Sequence, residues 1–482
     1  MRKRNLYVSA GIVAIILISW LISCAVNPVT GKRELMLLSE NDELALGKQT
    51  DQEVTATYGI YDDPELLAYI SKVGNDIAPL THRPNLEWKY KILDTPVVNA
   101  FAVPGGYIYF TRGILCDFND EAEMAGVMGH EFGHVTARHS AVQYSRAQLA
   151  QLGLGVGAIF SERFRQYAGI AQFGVSMLFL KFSRDNETQA DQLGVEYSTK
   201  AGYNSLAMAD FFNTLERMSP SEGGAIPDWF STHPNTKGRQ IAVTNLTAEW
   251  QQQVPGKTFV YNRDQYLAKV DGIAYGEDPQ QGYVEGNSFY HPGLGFTFPV
   301  PGDWQLSNTP SQVQVVSPQQ NAVIMFSLDD AASPALASQN FAQNSSAVVS
   351  ASDAVTVNGF NAQRTVSNLT TDQGELKVLS YYIAKDNKVY VFHGFSDTAN
   401  FATYENNFSN TMSHFQRLTD PAKLNVAVKH IHVKTVNSTT TLRSALKANG
   451  IADADLEELS LVNGMLLDDQ VKAGTKIKIV SK

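Results

Sequence analysis

Residues 119–137 of this chain read NDEAEMAGVMGHEFGHVTA, and they are its most informative feature. The Asn-Asp pair that opens it can cap a helix, and acidic residues fill the first turn. The stretch therefore predicts a helix on which His130 and His134, four residues apart, share one face. This spacing lets two imidazoles converge on one tetrahedral metal ion, and Glu131 can reach a water held by that metal.

A third metal ligand is expected downstream, because a catalytic zinc takes three protein ligands and keeps one position open. Ala137 and Ser140 stand where the metzincin pattern has glycine and histidine, which disfavours that class. Glu187 and Asp191 lie four apart in the helix-like stretch 182–200. One of them can ligate the metal while the other hydrogen-bonds a ligating imidazole. The residues alone do not assign the two roles, and a solvated acidic helix face is the alternative.

A hairpin is predicted upstream of the metal helix, where residues 99–109 form two strand patterns around a Pro-Gly-Gly turn. An edge strand beside a metal can pair with an extended peptide through backbone hydrogen bonds. A purely structural hairpin is compatible with the same pattern. The residues predicted to form this substrate strand and its turn are Asn99, Ala100, Phe101, Gly105 and Gly106.

Taken together, these motifs resemble the HtpX and CAAX-prenyl-protease family of gluzincin zinc metallopeptidases. The resemblance covers roughly residues 40–245, about half of the chain. It implies that His130, His134 and Glu187 bind one Zn²⁺ per chain. It also implies that Glu131 is the general base of peptide hydrolysis.

The same resemblance extends to Ser231-Thr232-His233-Pro234 and to Arg239. It implies that Asp191 orients the first histidine of the pair. It also implies that His233 and Arg239 lie in the catalytic cleft. His233 would there stabilise the oxyanion, or would occupy the open zinc position in a latent form of the enzyme.

The predicted fold class is α+β. A mainly helical zincin-type protease domain with a small sheet is followed by an α+β antiparallel-sheet module and a small LysM-like module. Changes in composition and clusters of turn residues set the boundaries. The predicted parts are a lipoprotein signal peptide at 1–24, a zinc metallopeptidase domain at 25–255, a linker at 256–282, an α+β accessory domain at 283–418 and a LysM-like domain at 424–482.

The two C-terminal modules carry no catalytic constellation in their sequence. For residues 283–418, substrate positioning or partner binding and a purely structural role are both open. The LysM resemblance implies peptidoglycan as a partner, although STTTL at residues 438–442 replaces the usual Gly-Asp-Thr-Leu opening.

The N-terminus has the plan of a signal peptide, with three basic residues at 2–4 before an apolar run at 10–22. Residues 21–24, LISC, resemble the bacterial lipobox, whose cysteine is lipidated and becomes the mature N-terminus. We therefore expect Cys24 to attach the protein to a membrane through a lipid. An uncleaved membrane anchor over residues 6–26 is the alternative.

The predicted compartment is the cell envelope of a Gram-negative bacterium. Because Ala25 is not aspartate, nothing argues for retention at the inner membrane, and the periplasmic face of the outer membrane is favoured. If Cys24 carries lipid, Cys116 has no cysteine partner and no intrachain disulfide is expected. The net charge of −10 and the absence of a basic cluster beyond the signal argue against nucleic-acid binding.

The leading hypothesis is a zinc-dependent endopeptidase that hydrolyses misfolded or stalled envelope proteins. Similarity to the β-barrel assembly-enhancing proteases suggests the outer-membrane assembly machinery as a partner, although this chain lacks the helical repeats of those proteases. One alternative is a latent protease, with His233 on the zinc, that acts mainly as a chaperone or an envelope-binding protein. Another is a zinc peptidoglycan hydrolase.

Overall fold

The computed structural model describes residues 24–151, 181–218, 229, 232–233, 238–371 and 374–482. The chain divides into two compact units. The first holds the chain up to Gly276 together with Lys429–Lys482, and the second is Glu277–Val428. The predicted signal peptide lies outside the described residues except for Cys24.

The first unit is mainly helical. Numbered along the whole chain, the helices are α1 (Glu40–Tyr58), α2 (Pro64–Ile77), α3 (Arg112–Asp117), α4 (Glu121–Thr136), α5 (His139–Gln151), α6 (Arg184–Ala201), α7 (Leu206–Met218), α8 (Arg239–Gln253), α9 (Arg263–Val270), α10 (Pro334–Ser345), α11 (Phe401–Ser413), α12 (Pro421–Leu424), α13 (Leu442–Ala448) and α14 (Leu456–Val462). Of these, α10, α11 and α12 belong to the second unit.

Strands are short in the first unit and longer in the second. They are β1 (Cys24–Val26), β2 (Arg33–Leu35), β3 (Lys89–Leu93), β4 (Ala100–Val103), β5 (Tyr107–Thr111), β6 (Ala274–Tyr275), β7 (Tyr283–Glu285), β8 (Ser288–His291), β9 (Phe296–Pro299), β10 (Gln305–Asn308), β11 (Gln312–Val316), β12 (Ala322–Asp329), β13 (Val348–Val357), β14 (Phe360–Thr371), β15 (Gly374–Lys385), β16 (Lys388–Asp397), β17 (Gln416–Arg417), β18 (Lys429–Thr435), β19 (Thr440–Thr441), β20 (Gln470–Val471) and β21 (Lys476–Ser481).

Helix α4 lies at the centre of the first unit and is buried along its whole length. Its N-terminus is capped by Asp120, whose carboxylate accepts a hydrogen bond of 2.9 Å from the backbone N–H of Glu123. Small residues bring α4 and α6 into close contact. A Cβ added at Gly129 would lie 2.9 Å from the carbonyl oxygen of Gly194. This contact fixes how far along α4 the side chains of α6 lie.

A three-stranded sheet with the order β3-β5-β4 borders this helical core. Strands β3 and β5 are parallel, and β4 pairs antiparallel with β5 at the edge of the sheet. The predicted hairpin at residues 99–109 is therefore formed by β4 and β5. Gly105 and Gly106 have φ values of +81° and +89° in the turn between them, a backbone conformation that favours glycine.

Residues 429–482 pack into the same hydrophobic core as α4. Strand β18 pairs antiparallel with both β21 and β6. The side chain of Lys478 is fully buried, and its ammonium donates to the carbonyl oxygens of Cys116 at 2.6 Å and Phe118 at 2.8 Å. The resemblance of this region to a LysM module stays a prediction.

Residues 256–282 differ from the linker expected from their glycines and prolines. They contain α9, whose Tyr266, Leu267 and Val270 are fully buried, followed by β6. Gly272 and Gly276 adopt left-handed turns on either side of β6, with φ values of +94° and +72°. These glycines therefore allow tight turns within a packed segment and do not mark a linker.

The second unit contains a seven-stranded antiparallel sheet with the order β10-β11-β12-β16-β15-β14-β13. Helix α11 covers one face, where Phe408 and Met412 pack into the main core of this unit. Helix α10 contributes Ala337 and Phe341 to a smaller cluster with Tyr382. The predicted combination of a helical protease domain with a sheet-rich C-terminal region is confirmed at this level. Among the described ranges, no helix is both long and apolar enough to cross a membrane.

Candidate metal centre

Four buried side chains converge at the contact between α4 and α6. His130, His134, Glu187 and His233 each offer one ligand atom, and these atoms all lie within 4.8 Å of one another. The Nε2 atoms of His130 and His134 are 3.0 Å apart, and the first lies 3.2 Å from Nδ1 of His233. Such a set of nitrogen and oxygen donors is typical of a zinc site.

Glu187 is the carboxylate that the structure brings to the imidazoles. Its oxygens lie 3.5 Å from Nε2 of His134, 3.7 Å from Nε2 of His130 and 3.1 Å from Nδ1 of His233. Burial would raise the pKa of Glu187, but His233, His130 and Arg239 outweigh it and hold the pKa below its ordinary value. The carboxylate is therefore charged and available as a ligand.

Asp191, by contrast, contacts the ring nitrogen of His130 that faces away from the cluster. Its Oδ1 is 2.9 Å from Nδ1 of His130, and Arg239 grips the same carboxylate with two hydrogen bonds of 2.9 and 2.7 Å. Burial would raise the pKa of Asp191, but the Arg239 guanidinium and the hydrogen bonds from both partners hold that pKa down. A charged carboxylate on Nδ1 leaves Nε2 of His130 free for the cluster.

The residues present fit a divalent cation. Burial and the neighbouring histidines hold the pKa of His134 well below its ordinary value, so the ring is neutral and keeps a lone pair. Within the described part of the chain, Nε2 of His233 and Oε1 of Glu131 have no hydrogen-bond partner, although both are buried. Buried polar atoms are normally paired, and a bound cation with its water would satisfy such a group of atoms.

Glu131 lies at the edge of the cluster, with Oε1 3.6 Å from Nε2 of His233. Burial and the charge of Glu187 raise its pKa well above the ordinary value, while a backbone hydrogen bond from Ala102 opposes that rise. A nearby divalent cation favours the charged form of a carboxylate. Through Ala102, Glu131 also touches strand β4.

Strand β4 supplies the edge next to Glu131, and two of the five predicted substrate-strand residues lie on it. Ala100 and Phe101 are in β4, and Asn99 precedes it. Gly105 and Gly106 lie in the turn beyond β4. Gly105 packs against α1, and a Cβ on Gly106 would lie 2.6 Å from the Glu87 carbonyl oxygen. The two glycines therefore shape the hairpin.

Three further residues surround the cluster, although the sequence patterns did not single them out as functional. Trp229 stacks on His233 with ring centroids 4.2 Å apart, and Phe182 packs against His134 at 4.0 Å. His139 lies 3.1 Å from His134 through their Nδ1 atoms. A continuous helix would carry His139 away from the pair, but Arg138 has a φ of +58° and turns the chain between α4 and α5. Nothing in the local sequence signals this turn.

The buried cluster, set on two packed helices beside a small sheet, defines a site of the metallopeptidase class. Residues 64–247 match the model of Peptidase family M48. The resemblance to a zinc metallopeptidase family, predicted from the sequence motifs, is confirmed by this match.

Three relatives are similar to part of this chain. Mitochondrial metalloendopeptidase OMA1 of Arabidopsis thaliana is 29% identical over 202 residues, which cover 42% of this chain and 40% of that protein. The protein of the same name from Schizosaccharomyces pombe is 30% identical over 220 residues, 44% of this chain and 63% of that protein. The beta-barrel assembly-enhancing protease of Escherichia coli K12 is 25% identical over 242 residues, with 48% of each chain covered. The chain thus spans 40–63% of the length of these relatives.

Proposed function

We propose that this protein is a zinc-dependent metalloendopeptidase that hydrolyses peptide bonds of proteins in a bacterial cell envelope. The observation that carries the proposal is the convergence of His130, His134 and Glu187 in one buried cluster with Glu131 beside it. Zinc held by the first three residues would polarise the scissile carbonyl and make a water more acidic. The family assignment and the metalloendopeptidase relatives support the same reading.

Glu131 is the general base in this proposal. Its Oε1 has no hydrogen-bond partner among the described residues, so this atom can accept the proton of the attacking water. The same oxygen then returns that proton to the leaving amine. The hydrogen bond from Ala102 holds the carboxylate between the cluster and strand β4.

Strand β4 presents the substrate in this proposal. It is the edge of its sheet, so an extended peptide can pair with it through main-chain hydrogen bonds. Such pairing depends on the peptide backbone and not on the side chains, so it accepts many sequences. This suits an enzyme that removes misfolded or stalled proteins.

His233 has two proposed roles. With its ring turned toward substrate, Nε2 would donate to the oxyanion of the tetrahedral intermediate. In the arrangement seen here, Nδ1 lies 3.2 Å from His130 and 3.1 Å from Glu187, among the ligand atoms. This position supports the second candidate function, a latent protease in which His233 takes the site that water needs and in which binding to envelope proteins is the main activity.

The test is zinc content together with casein cleavage by the purified full chain and its Glu131→Gln variant. We expect both proteins to hold about one zinc per chain and only the wild type to cut. Absence of zinc from the wild type would contradict the proposal.

If both proteins hold zinc and neither cuts, His233→Ala separates the two candidate functions. Gain of cleavage by this variant identifies a latent protease, because removal of the imidazole opens the metal position. Continued inactivity of this variant, which also lacks the proposed oxyanion donor, fails to support a latent protease.

The envelope setting belongs to the same proposal. A lipid on Cys24 would hold the enzyme at the periplasmic face of the outer membrane, and the beta-barrel assembly-enhancing relatives suggest the outer-membrane assembly machinery as a partner. Residues 424–482 would add contact with peptidoglycan. Fractionation tests the anchor: a Cys24→Ala variant should leave the membrane fraction, and its retention there would contradict lipidation.

A further inference from the structure

A chain of hydrogen bonds extends outward from the second histidine of the metal helix. Nδ1 of His134 lies 3.1 Å from Nδ1 of His139, and Nε2 of His139 lies 2.9 Å from Oε1 of Gln189. His139 is only 2% exposed, and its ring stands nearly perpendicular to that of His134 at 74°. Gln189 is supplied by α6, two residues after Glu187. The mechanism above uses neither His139 nor Gln189.

The chain turn at Arg138 puts His139 in this position. Two hydrogen bonds, one from its backbone and one from its side chain, hold Arg138 in its left-handed conformation. Its backbone N–H donates to the Val135 carbonyl oxygen at 3.1 Å, and its guanidinium donates to Glu43 at 2.9 Å. The fold thus stabilises an unfavourable backbone conformation at a non-glycine residue, as is common beside functional sites. The result is that the first residue of α5 faces the last turn of α4.

The direction of each hydrogen bond follows from the metal cluster. Nε2 of His134 faces Nε2 of His130 at 3.0 Å and Glu187 at 3.5 Å, so Nε2 is the ligand atom and the ring proton belongs on Nδ1. Nδ1 of His134 then donates to Nδ1 of His139. His139, acting there as an acceptor, carries its own proton on Nε2 and donates it to the amide oxygen of Gln189. Each hydrogen bond in this series therefore has one defined donor and one defined acceptor.

The two ligand histidines are therefore supported differently. His130 is backed by a charged pair, Asp191 with Arg239, whereas His134 is backed by two neutral groups. With a divalent cation bound, its two positive charges and the one on Arg239 equal the three negative charges of Glu187, Asp191 and Glu131. A carboxylate in place of His139 would leave one uncompensated negative charge in a buried site, which is costly.

We propose that His139 and Gln189 are positioning residues that fix the ring orientation and the tautomer of His134 for metal binding. The inference rests on the proposed zinc site and adds to it two residues that do not touch the metal. Groups that hold a ligating imidazole in this way typically raise metal affinity by about 10–100-fold.

The test is the zinc dissociation constant of the full chain, measured by competition with a chromogenic chelator. We expect His139→Phe, which keeps a flat ring but removes the acceptor, to weaken zinc binding by about 10–100-fold. Gln189→Leu should weaken it in the same direction by at least about threefold. His139→Asn places an oxygen where Nδ1 lies and should recover a substantial part of the loss. His414→Phe, at an exposed histidine of the second unit, is the matched control and should bind zinc as the wild type does.

The outcomes separate this inference from the proposed function. Zinc binding by His139→Phe within about twofold of the wild type would overturn the inference and leave the zinc site standing. Loss of zinc from the wild type would overturn both. Equal losses in the phenylalanine and asparagine variants would also overturn it, because a packing role does not distinguish a hydrogen-bond acceptor. If His139→Phe does not fold, unchanged affinity in Gln189→Leu overturns the inference alone.

Discussion

The carboxylate of Asp191 lies between His130 and Arg239 and connects these two residues of the site. It accepts from His130 on one side and from two nitrogens of Arg239 on the other, all within 2.9 Å. The Arg239 side chain is only 4% exposed, and its guanidinium carbon lies 4.4 Å from the ring centroid of Phe212. One buried guanidinium therefore sets the charge of the carboxylate that orients the first histidine.

Replacement of Arg239 by glutamine is expected to destabilise the zinc-free chain by about 3–5 kcal/mol, because it leaves the Asp191 carboxylate buried with only part of its partners. Urea denaturation measures the change in the free energy of unfolding. Arg364→Gln is the matched control, since Arg364 pairs with Asp353 at 3.6 Å on a solvated strand, and its effect should stay below about 0.5 kcal/mol. Equal effects in the two variants would contradict a structural role of the buried pair.

At the scale of elements, the contact between α4 and α6 decides which carboxylate meets the histidines. Glu187 and Asp191 are four residues apart on one face of α6, so the sequence predicts that both point toward the site. It does not predict which one reaches the Nε2 atoms. That choice depends on how far α6 is displaced along α4, which the close contact of Gly129 and Gly194 sets. Helical periodicity determines relations within one helix, not between two.

The same limit applies to His139. The spacing of His130 and His134 is enough to predict their shared face, because both belong to one helix. His139 follows the left-handed turn at Arg138, which Glu43 of α1 stabilises from far along the chain. A contact of that kind has no local sequence signal.

Gly194→Ala is expected to weaken zinc binding as well as to lower stability. Its Cβ would lie 3.0 Å from the backbone nitrogen of His130 and 3.2 Å from the Gly126 carbonyl oxygen, so α6 must move away from α4. Overpacking of this kind costs about 1–3 kcal/mol. Chelator competition and thermal unfolding measure the two effects. Gly302→Ala, where the Cβ meets only the flexible amide of Asn287 at 3.6 Å, is the control. Unchanged zinc affinity in Gly194→Ala would contradict this role of the contact.

At the scale of the whole molecule, residues 429–482 form part of the same compact unit as the metal centre. The sequence predicts their strands and short helices, because hydrophobic periodicity is local. It does not show whether such a segment stands alone or docks onto another part of the chain. Lys478 illustrates the difference: its sequence context is an ordinary strand, yet its ammonium is buried against the carbonyl oxygens that end α3.

Lys478→Met is expected to lower the free energy of unfolding by about 1–3 kcal/mol, since it leaves the carbonyl oxygens of Cys116 and Phe118 buried without a donor. Chemical denaturation measures the loss. Lys434→Met, at an exposed position of β18, keeps the same chemical change and should have little effect. If the two variants are equally stable, residues 429–482 do not support the core through this lysine.

Asp117 makes the stability of this region depend on pH. Burial raises its pKa to about 7, although the charge of Lys478 opposes the rise. The folded chain therefore holds this proton more tightly than the unfolded chain, whose aspartate has a pKa of 3.8. Stability from this group is full below pH 3.8 and is lost as pH rises toward 7.

Asp117→Asn should accordingly lose less stability than the wild type between pH 4 and pH 7. Urea denaturation at several pH values measures this difference in slope. Parallel pH profiles would mean that Asp117 does not titrate in this range.

The order of synthesis gives the buried lysine another consequence. Residues 476–481 are translated after the whole of Glu277–Val428, yet they complete the core that holds the metal helix. A ribosome-bound chain would therefore carry the proposed metal ligands without the strand that completes the core around the metal helix. The proposed protease activity would start only after the second unit has been made, which would limit cleavage by an immature enzyme during its own synthesis.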